Sequence, residues 1–157
     1  VPVFVAAPGG VEYQKVMDRL ARNIDGAAEV LPAPAVQLRE GARWGVISIG
    51  GCDAAVREAL DRLDAAGLPL DYLRVRGFPF AQSVTEFLHA HPWSYVVEQN
   101  RDAQLRSLLA VETEFPMDRM ISLRYYGGMP LSAGEVVAGV RQHLTEHAHA
   151  VDLQAAD

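Results

Sequence analysis

Cysteine is nearly missing from this chain: Cys52 is the single one in 157 residues. One thiol cannot close an internal disulfide, and nothing in the sequence suggests secretion. Blocks of lysine and arginine are lacking as well. The net charge is −6 and the pI is near 5.3, so no basic stripe is available to track a phosphate backbone. Nucleic acid is excluded as a partner on that criterion. No apolar run approaches the ~20 residues that a membrane helix needs. The opening VPVFVAAPGG is apolar but has no basic n-region, so it is not read as a signal peptide. The chain does not begin with Met, which fits a piece of a longer polypeptide. Signature motifs are absent too. There is no G-x-G-x-x-G, Walker loop or Cys-x-x-Cys, no Ser/His/Asp order, and no paired carboxylates on one helix.

What is present suits one ordinary domain. Half of the residues are hydrophobic, enough for a sizeable core and too many for a disordered chain. Residues 11–24, VEYQKVMDRLARNI, place Val16, Met17, Leu20 and Ile24 close to helical spacing, which predicts an amphipathic helix. GAAEVLPAPAVQLREGA then reads as an extended connection over the surface. From Trp44 a rhythm begins. WGVISIG, LDYLRVRG, WSYVVEQ and RMISLRYY read as strands. Between and after them lie helices that point Val56, Leu60 and Leu63, then Val84, Phe87 and Leu88, then Leu105, Leu108 and Leu109, then Val136, Val137, Val140 and Leu144 inward. Strands alternating with helices of this length imply a mostly parallel sheet with helices on both faces. The expected division is 1–40 as an N-terminal helix and linker, 41–147 as a three-layer α/β/α domain, and 148–157 as a tail.

Several positions invite a chemical reading, and most have a structural one that suffices. SIGGCDAAV is a strand, a glycine pair and a helix start, with Asp53 as the expected N-cap. Asp53 puts a carboxylate where a phosphate would sit, so the turn is read as structural. Cys52 lies at the same helix start, but no base stands beside it in sequence and Asp53 opposes a thiolate. His143 and His147 share a helix face at metal-ligand spacing, but further ligands are missing, so they read with His149 as part of a solvated tail. Ser132 and Glu135 have capping-box spacing. LRVRGFPF sets Arg74 and Arg76 on one face and leaves Phe78 and Phe80 in need of apolar cover, at a strand end where partners meet open sheets. In YVVEQNRDAQL, five polar residues follow a buried strand at once: Glu98, Gln99, Asn100, Arg101 and Asp102. Asp102 is the expected N-cap of the next helix and Asn100 its rival.

These blocks carry a resemblance. WGVISIGGCDAAVREALDRL, LDYLRVRGFPF, YVVEQNRDAQLRSLL and YYGGMPLSAGEVV, in this order, resemble the C-terminal part of the alpha subunit of 2-oxoacid:ferredoxin oxidoreductases, the 2-oxoglutarate type especially. The resemblance spans about residues 13–146, and VVEQNRDAQL is its most specific block. Relatives commonly carry Ser or Thr where Cys52 stands and Gly where Ala103 stands. The resemblance implies a transketolase C-terminal-domain-like fold, with one antiparallel strand in a mostly parallel sheet. It implies a cytoplasmic enzyme that uses thiamine diphosphate, magnesium and iron–sulfur chemistry to convert a 2-oxoacid and coenzyme A into acyl-CoA and CO2, passing electrons to ferredoxin. In that family the thiamine pyrophosphate is held mainly by the beta subunit, and the pyrimidine-side domain precedes this segment.

The expectation for this chain is therefore a domain that binds no cofactor, has no turnover alone, and holds no catalytic or metal-binding residue. Its partners would be the preceding domains of the alpha chain and the beta subunit, with no nucleic acid and no membrane. Arg76, Phe78, Phe80, Glu98, Gln99, Asn100, Arg101 and Tyr126 are expected at a domain or subunit interface, where the 98–102 cluster acts as a polar brace. Two rival readings are a free-standing small-molecule-binding or regulatory α/β module, and a cysteine enzyme using Cys52.

Overall fold

The run GVISI is β-branched and bounded by glycines, and it becomes the centre of a five-stranded sheet. A computed structural model of the chain describes residues 10–146. Its strands are β1 (Ala35–Gln37), β2 (Gly45–Ile49), β3 (Asp71–Val75), β4 (Ser94–Glu98) and β5 (Met120–Arg124). Their order across the sheet is β1-β3-β2-β4-β5. β2, β3, β4 and β5 pair in parallel, and β1 lies antiparallel on β3 with Ala35 opposite Arg74. The fold class expected from the sequence is thus observed. β1 falls inside the stretch read as a surface connection. It is three residues long, and its Val36 is 48% exposed, so it carries no buried run to announce it.

Successive strand residues face opposite ways, so each strand feeds two cores. Val46, Tyr72, Tyr95 and Val97 point to one face, covered by α3 (Asp53–Asp64) and α6 (Ala133–Glu146). Ile47, Leu73, Val75 and Val96 point to the other, with side chains of α4 (Gln82–His89) and α5 (Gln104–Thr113). Val56, Leu60 and Leu63 of α3 and Val84, Phe87 and Leu88 of α4 are buried as expected. On α5 only part of the expected set is buried. Leu105 and Leu109, four residues apart, meet the sheet, whereas Leu108 stands off it and is 36% exposed. Gly67 follows α3 at φ +78°, the left-handed conformation that favours glycine at a helix end.

At the amino ends of the strands the structure is closed. Trp44 and Trp93 precede β2 and β4 and stack with ring centroids 5.4 Å apart. His91, two residues before Trp93, is buried, its Nδ1 2.7 Å from the Phe87 carbonyl and its Nε2 3.1 Å from Asp71. Arg119 donates to the carbonyls of Pro92 and His91.

The N-terminal segment differs. α1 (Val11–Asp25) and the one-turn α2 (Ala27–Val30) bury no residue. The segment is fastened by its end: Leu31 packs on Gly77, where an added Cβ would lie 3.1 Å from it. His143 on α6 meets the Tyr95 hydroxyl at 3.0 Å. His147 and His149, the first nine residues and the 148–157 tail lie outside the described residues.

Candidate interface at the carboxyl edge of the sheet

Three strand exits meet at the carboxyl edge, after β3, β4 and β5. After β4 the chain must turn into α5 at once, and the turn is built from the polar cluster. Glu98 is only 1% exposed. Its carboxylate accepts the backbone N–H groups of Leu105 at 2.8 Å and Arg106 at 3.3 Å, together with the Asn100 side-chain amide. Those two N–H groups belong to the first turn of α5, where no intrahelical acceptor exists and where the helix dipole favours an anion. Glu98 is therefore a helix cap delivered from a strand. The Asn100 side-chain oxygen accepts the N–H groups of Asp102 at 3.1 Å and Gln104 at 3.2 Å.

This corrects the expectation for Asp102. Its carboxylate is exposed and pairs with the neighbouring Arg101 at 2.7 Å. Asn100 and Glu98 have already taken the donors that Asp102 would have capped. The residue before α5 is Ala103, at φ +52°. That conformation costs an L-residue about 1 kcal/mol or more, and it explains why glycine suits this position in the resembling proteins.

The other expected residues divide into two groups. Arg101 is exposed, and its carbonyl accepts from the Arg124 guanidinium at 3.0 Å. Gln99 is exposed and points toward Gly51 and Cys52, with the thiol 4.0 Å from its side-chain oxygen. Arg76 donates to the Ala33 carbonyl at 3.5 Å. Phe78 and Phe80 meet edge to face at 5.3 Å, and Phe78 is 46% exposed. Tyr126 is 65% exposed. Glu98 and Asn100 thus hold the fold together, while Gln99, Arg101, Phe78 and Tyr126 face outward.

Two residues of this edge were missed in the sequence. Met129 is 79% and Ile49 is 43% exposed. The signal for Met129 was its place between a Gly-Gly turn and Pro130, which holds an apolar side chain away from the core. A cleft of about 310 Å³ runs beside Tyr126, lined by Arg124, Tyr125, Met129, Leu131 and Glu135 among others. Its floor is tied down. The Tyr125 hydroxyl donates to the Glu135 carbonyl at 2.6 Å, and burial pushes Tyr125 up to about 12. Ser132 and Glu135 form the expected capping box, with the Ser132 N–H and hydroxyl both 2.8 Å from Glu135. Those bonds hold the Glu135 carboxyl below its usual range.

The glycine turn after β2 is also structural. Asp53 is not the cap of α3. Its carboxylate takes bonds from Arg57 and Tyr72 at 3.0 Å and Arg74 at 3.2 Å. Burial works against its charge, but these cations and hydrogen bonds hold its carboxyl low. Cys52 is 2% exposed, and burial pushes its thiol up, the opposite of what a nucleophile requires. The donor set among the described residues does not fit an iron–sulfur cluster, which takes several thiolates, and at the glycine turn that opens α3 Asp53 stands where a pyrophosphate would sit. Among the described residues no three of His, Cys, Asp or Glu converge as a metal site. None of their helices is long and apolar enough to cross a membrane.

No family model and no curated protein matches the chain. Solved structures do. A 2-oxoglutarate:ferredoxin oxidoreductase from Magnetococcus marinus, with 2-oxoglutarate, coenzyme A and succinyl-CoA bound, is similar over 87% of this chain at 26% identity and a TM-score of 0.74. The match covers 24% of that protein's chain, so the present chain spans about a quarter of its length. A split-gene transketolase, described as an inactive beta4 tetramer, is similar over 71% of this chain and 41% of its own, at 21% identity and a TM-score of 0.56. The alpha chain of a probable 2-oxoacid ferredoxin oxidoreductase from Thermoplasma acidophilum is similar over 72% of this chain and 97% of its own, at 17% identity and a TM-score of 0.50. The last two show the fold alone. Fold and sequence together make this chain a structural neighbour of the 2-oxoacid:ferredoxin oxidoreductases, built on the transketolase-like C-terminal domain fold.

Proposed function

We propose that this chain is the C-terminal domain of the alpha subunit of a cytoplasmic, thiamine-diphosphate-dependent 2-oxoacid:ferredoxin oxidoreductase, of the 2-oxoglutarate type. The whole enzyme would convert the 2-oxoacid and coenzyme A into acyl-CoA and CO2 and reduce ferredoxin. Thiamine diphosphate, magnesium and the iron–sulfur cluster would be held by other parts of the assembly. The role of this domain is assembly: its carboxyl edge meets the preceding domains of the alpha chain and the beta subunit, and so shapes the surroundings of the active site. The observation that carries this reading is the similarity over 87% of the chain to an enzyme of that activity. The composition of the edge supports it. Phe78, Tyr126 and Met129 are the kind of exposed apolar side chains that interfaces recruit. The one thiol is buried, and burial pushes it up, against a nucleophilic role.

The test is incubation of the isolated chain with 2-oxoglutarate, coenzyme A, thiamine diphosphate, magnesium and an electron acceptor. No acyl-CoA is expected. Its formation without another subunit would overturn the reading. In an assembled enzyme, Arg101→Ala should lower assembly yield before it lowers turnover per assembled enzyme; loss of turnover in fully assembled enzyme would place Arg101 in the chemistry instead.

A further inference from the structure

A buried histidine at the amino end of the sheet makes two ring contacts that a neutral imidazole cannot both satisfy. His91 is 5% exposed. Its Nδ1 lies 2.7 Å from the Phe87 carbonyl and its Nε2 lies 3.1 Å from an Asp71 carboxylate oxygen. A backbone carbonyl only accepts, so Nδ1 must carry a proton and donate it. A neutral imidazole has a single ring proton, and Nε2 would then be bare. Its lone pair would face a carboxylate oxygen inside the protein, two acceptors with nothing between them. The other Asp71 oxygen is already occupied, accepting the Arg39 backbone N–H at 2.7 Å. The pair therefore holds one proton more than a neutral imidazole and a carboxylate bring to it.

Three features favour the ring as the place of that proton. A carboxylate is the weaker base of the two. The Phe87 carbonyl belongs to the last turn of α4, where the helix dipole favours a cation. The Phe87 ring lies 4.5 Å from the imidazole, and an aromatic ring attracts positive charge. The charged neighbours are directed elsewhere. The Arg39 guanidinium bonds Asp61 and Asp64 of α3, and the Arg119 guanidinium bonds the Pro92 and His91 carbonyls. Glu86 and His89, on α4 itself, are exposed. Pairing with Asp71 offsets the cost of burying the imidazolium alone.

The bound proton joins parts that are far apart along the chain. Asp71 opens β3 and receives the segment before β2 through the Arg39 N–H. His91 follows α4 and holds its last turn through Phe87. Arg119, just before β5, holds the His91 carbonyl. We propose that His91 and Asp71 form an imidazolium–carboxylate pair, and that its proton latches the amino end of the sheet. When the proton leaves, two acceptors face each other and the turn after α4 loosens. The latch is a property of this domain and does not depend on the proposed enzyme.

Nitrogen NMR of the histidine rings, in the full chain at neutral pH, is the direct test. Both ring nitrogens of His91 should carry protons; a bare Nε2 would overturn the proposal. Asp71→Asn supplies the second measurement. The asparagine oxygen still accepts from Arg39, and its amide can donate to a bare Nε2, so the variant should fold with a neutral ring. Its Nε2 should lack the proton that the wild type holds, and retention there would show that the carboxylate is not what binds it. Linkage fixes the sign of the effect on stability. The folded chain holds a proton that the unfolded chain, with the two side chains apart, releases as pH rises. The latch thus contributes in mild acid and is lost toward alkaline pH. Between those conditions the melting temperature of the wild type should fall by about 3 °C or more relative to Asp71→Asn, since the other histidines are common to both. Parallel melting curves across that range would rule out the latch.

Discussion

The two ends of the sheet solve the same problem in opposite ways. At the amino ends, Trp44 and Trp93 are buried and stacked on each other, and Arg119 ties down the loop before β4 through the Pro92 and His91 carbonyls. At the carboxyl ends, Tyr126 and Met129 remain largely in water and Phe78 about half so. Both ends use large apolar side chains. One end completes the domain, and the other is the edge for which we propose an outside contact. A buried aromatic earns its place through folding energy, whereas an exposed one at a strand exit is explained by contact with another surface.

The contrast breaks most readily at the closed end. Trp93→Ala should cost about 3–5 kcal/mol, because it removes a buried ring and half of a stacked pair; thermal melting checks it, and a loss under about 1 kcal/mol would mean that this end is not closed. Next in size is Glu98→Ala, at about 2–3 kcal/mol, since it strands two backbone donors of α5 inside the protein. Chemical denaturation of the variant would separate this from a surface effect, for which almost no change is expected. Ala103→Gly should act the other way and stabilise by about 1 kcal/mol, because glycine adopts φ +52° without strain. An unchanged or lowered melting point would show that the left-handed conformation is not what limits this turn. Tyr126→Ala should be the smallest, within about 0.5 kcal/mol in the free chain, while weakening assembly. If it destabilises the free chain as Trp93→Ala does, the two ends are alike after all.

Much of the fold was legible because it rests on local pattern. Short apolar runs that break off into polar or glycine residues announced β2, β3, β4 and β5. The Ser132–Glu135 box was legible because both partners lie within one turn. What failed was decided by neighbours far along the chain. Asp53 has the right type and place for a cap, but Tyr72 and Arg74 on the next strand claim its carboxylate. Asp102 lost its donors to nearer neighbours, Asn100 in the turn and Glu98 in the strand before it. β1 is held by pairing to β3 and not by a core face of its own, so no periodicity could mark it. In the candidate interface, sequence expected Phe78 and Tyr126 at the carboxyl edge, and both are exposed there. It could not separate Glu98 from Arg101, because burial of one and exposure of the other depend on how the turn folds back on α5.

The Glu98 cap also bears on how the molecule comes apart. Helix ends commonly open first, one turn at a time. The first turn of α5 is tied to a carboxylate rooted in a strand whose five residues are all buried. That turn cannot loosen by itself without stranding a charge in the interior. β4 and the start of α5 should therefore open together, as one cooperative unit, leaving the carboxyl edge between them rigid in the folded chain.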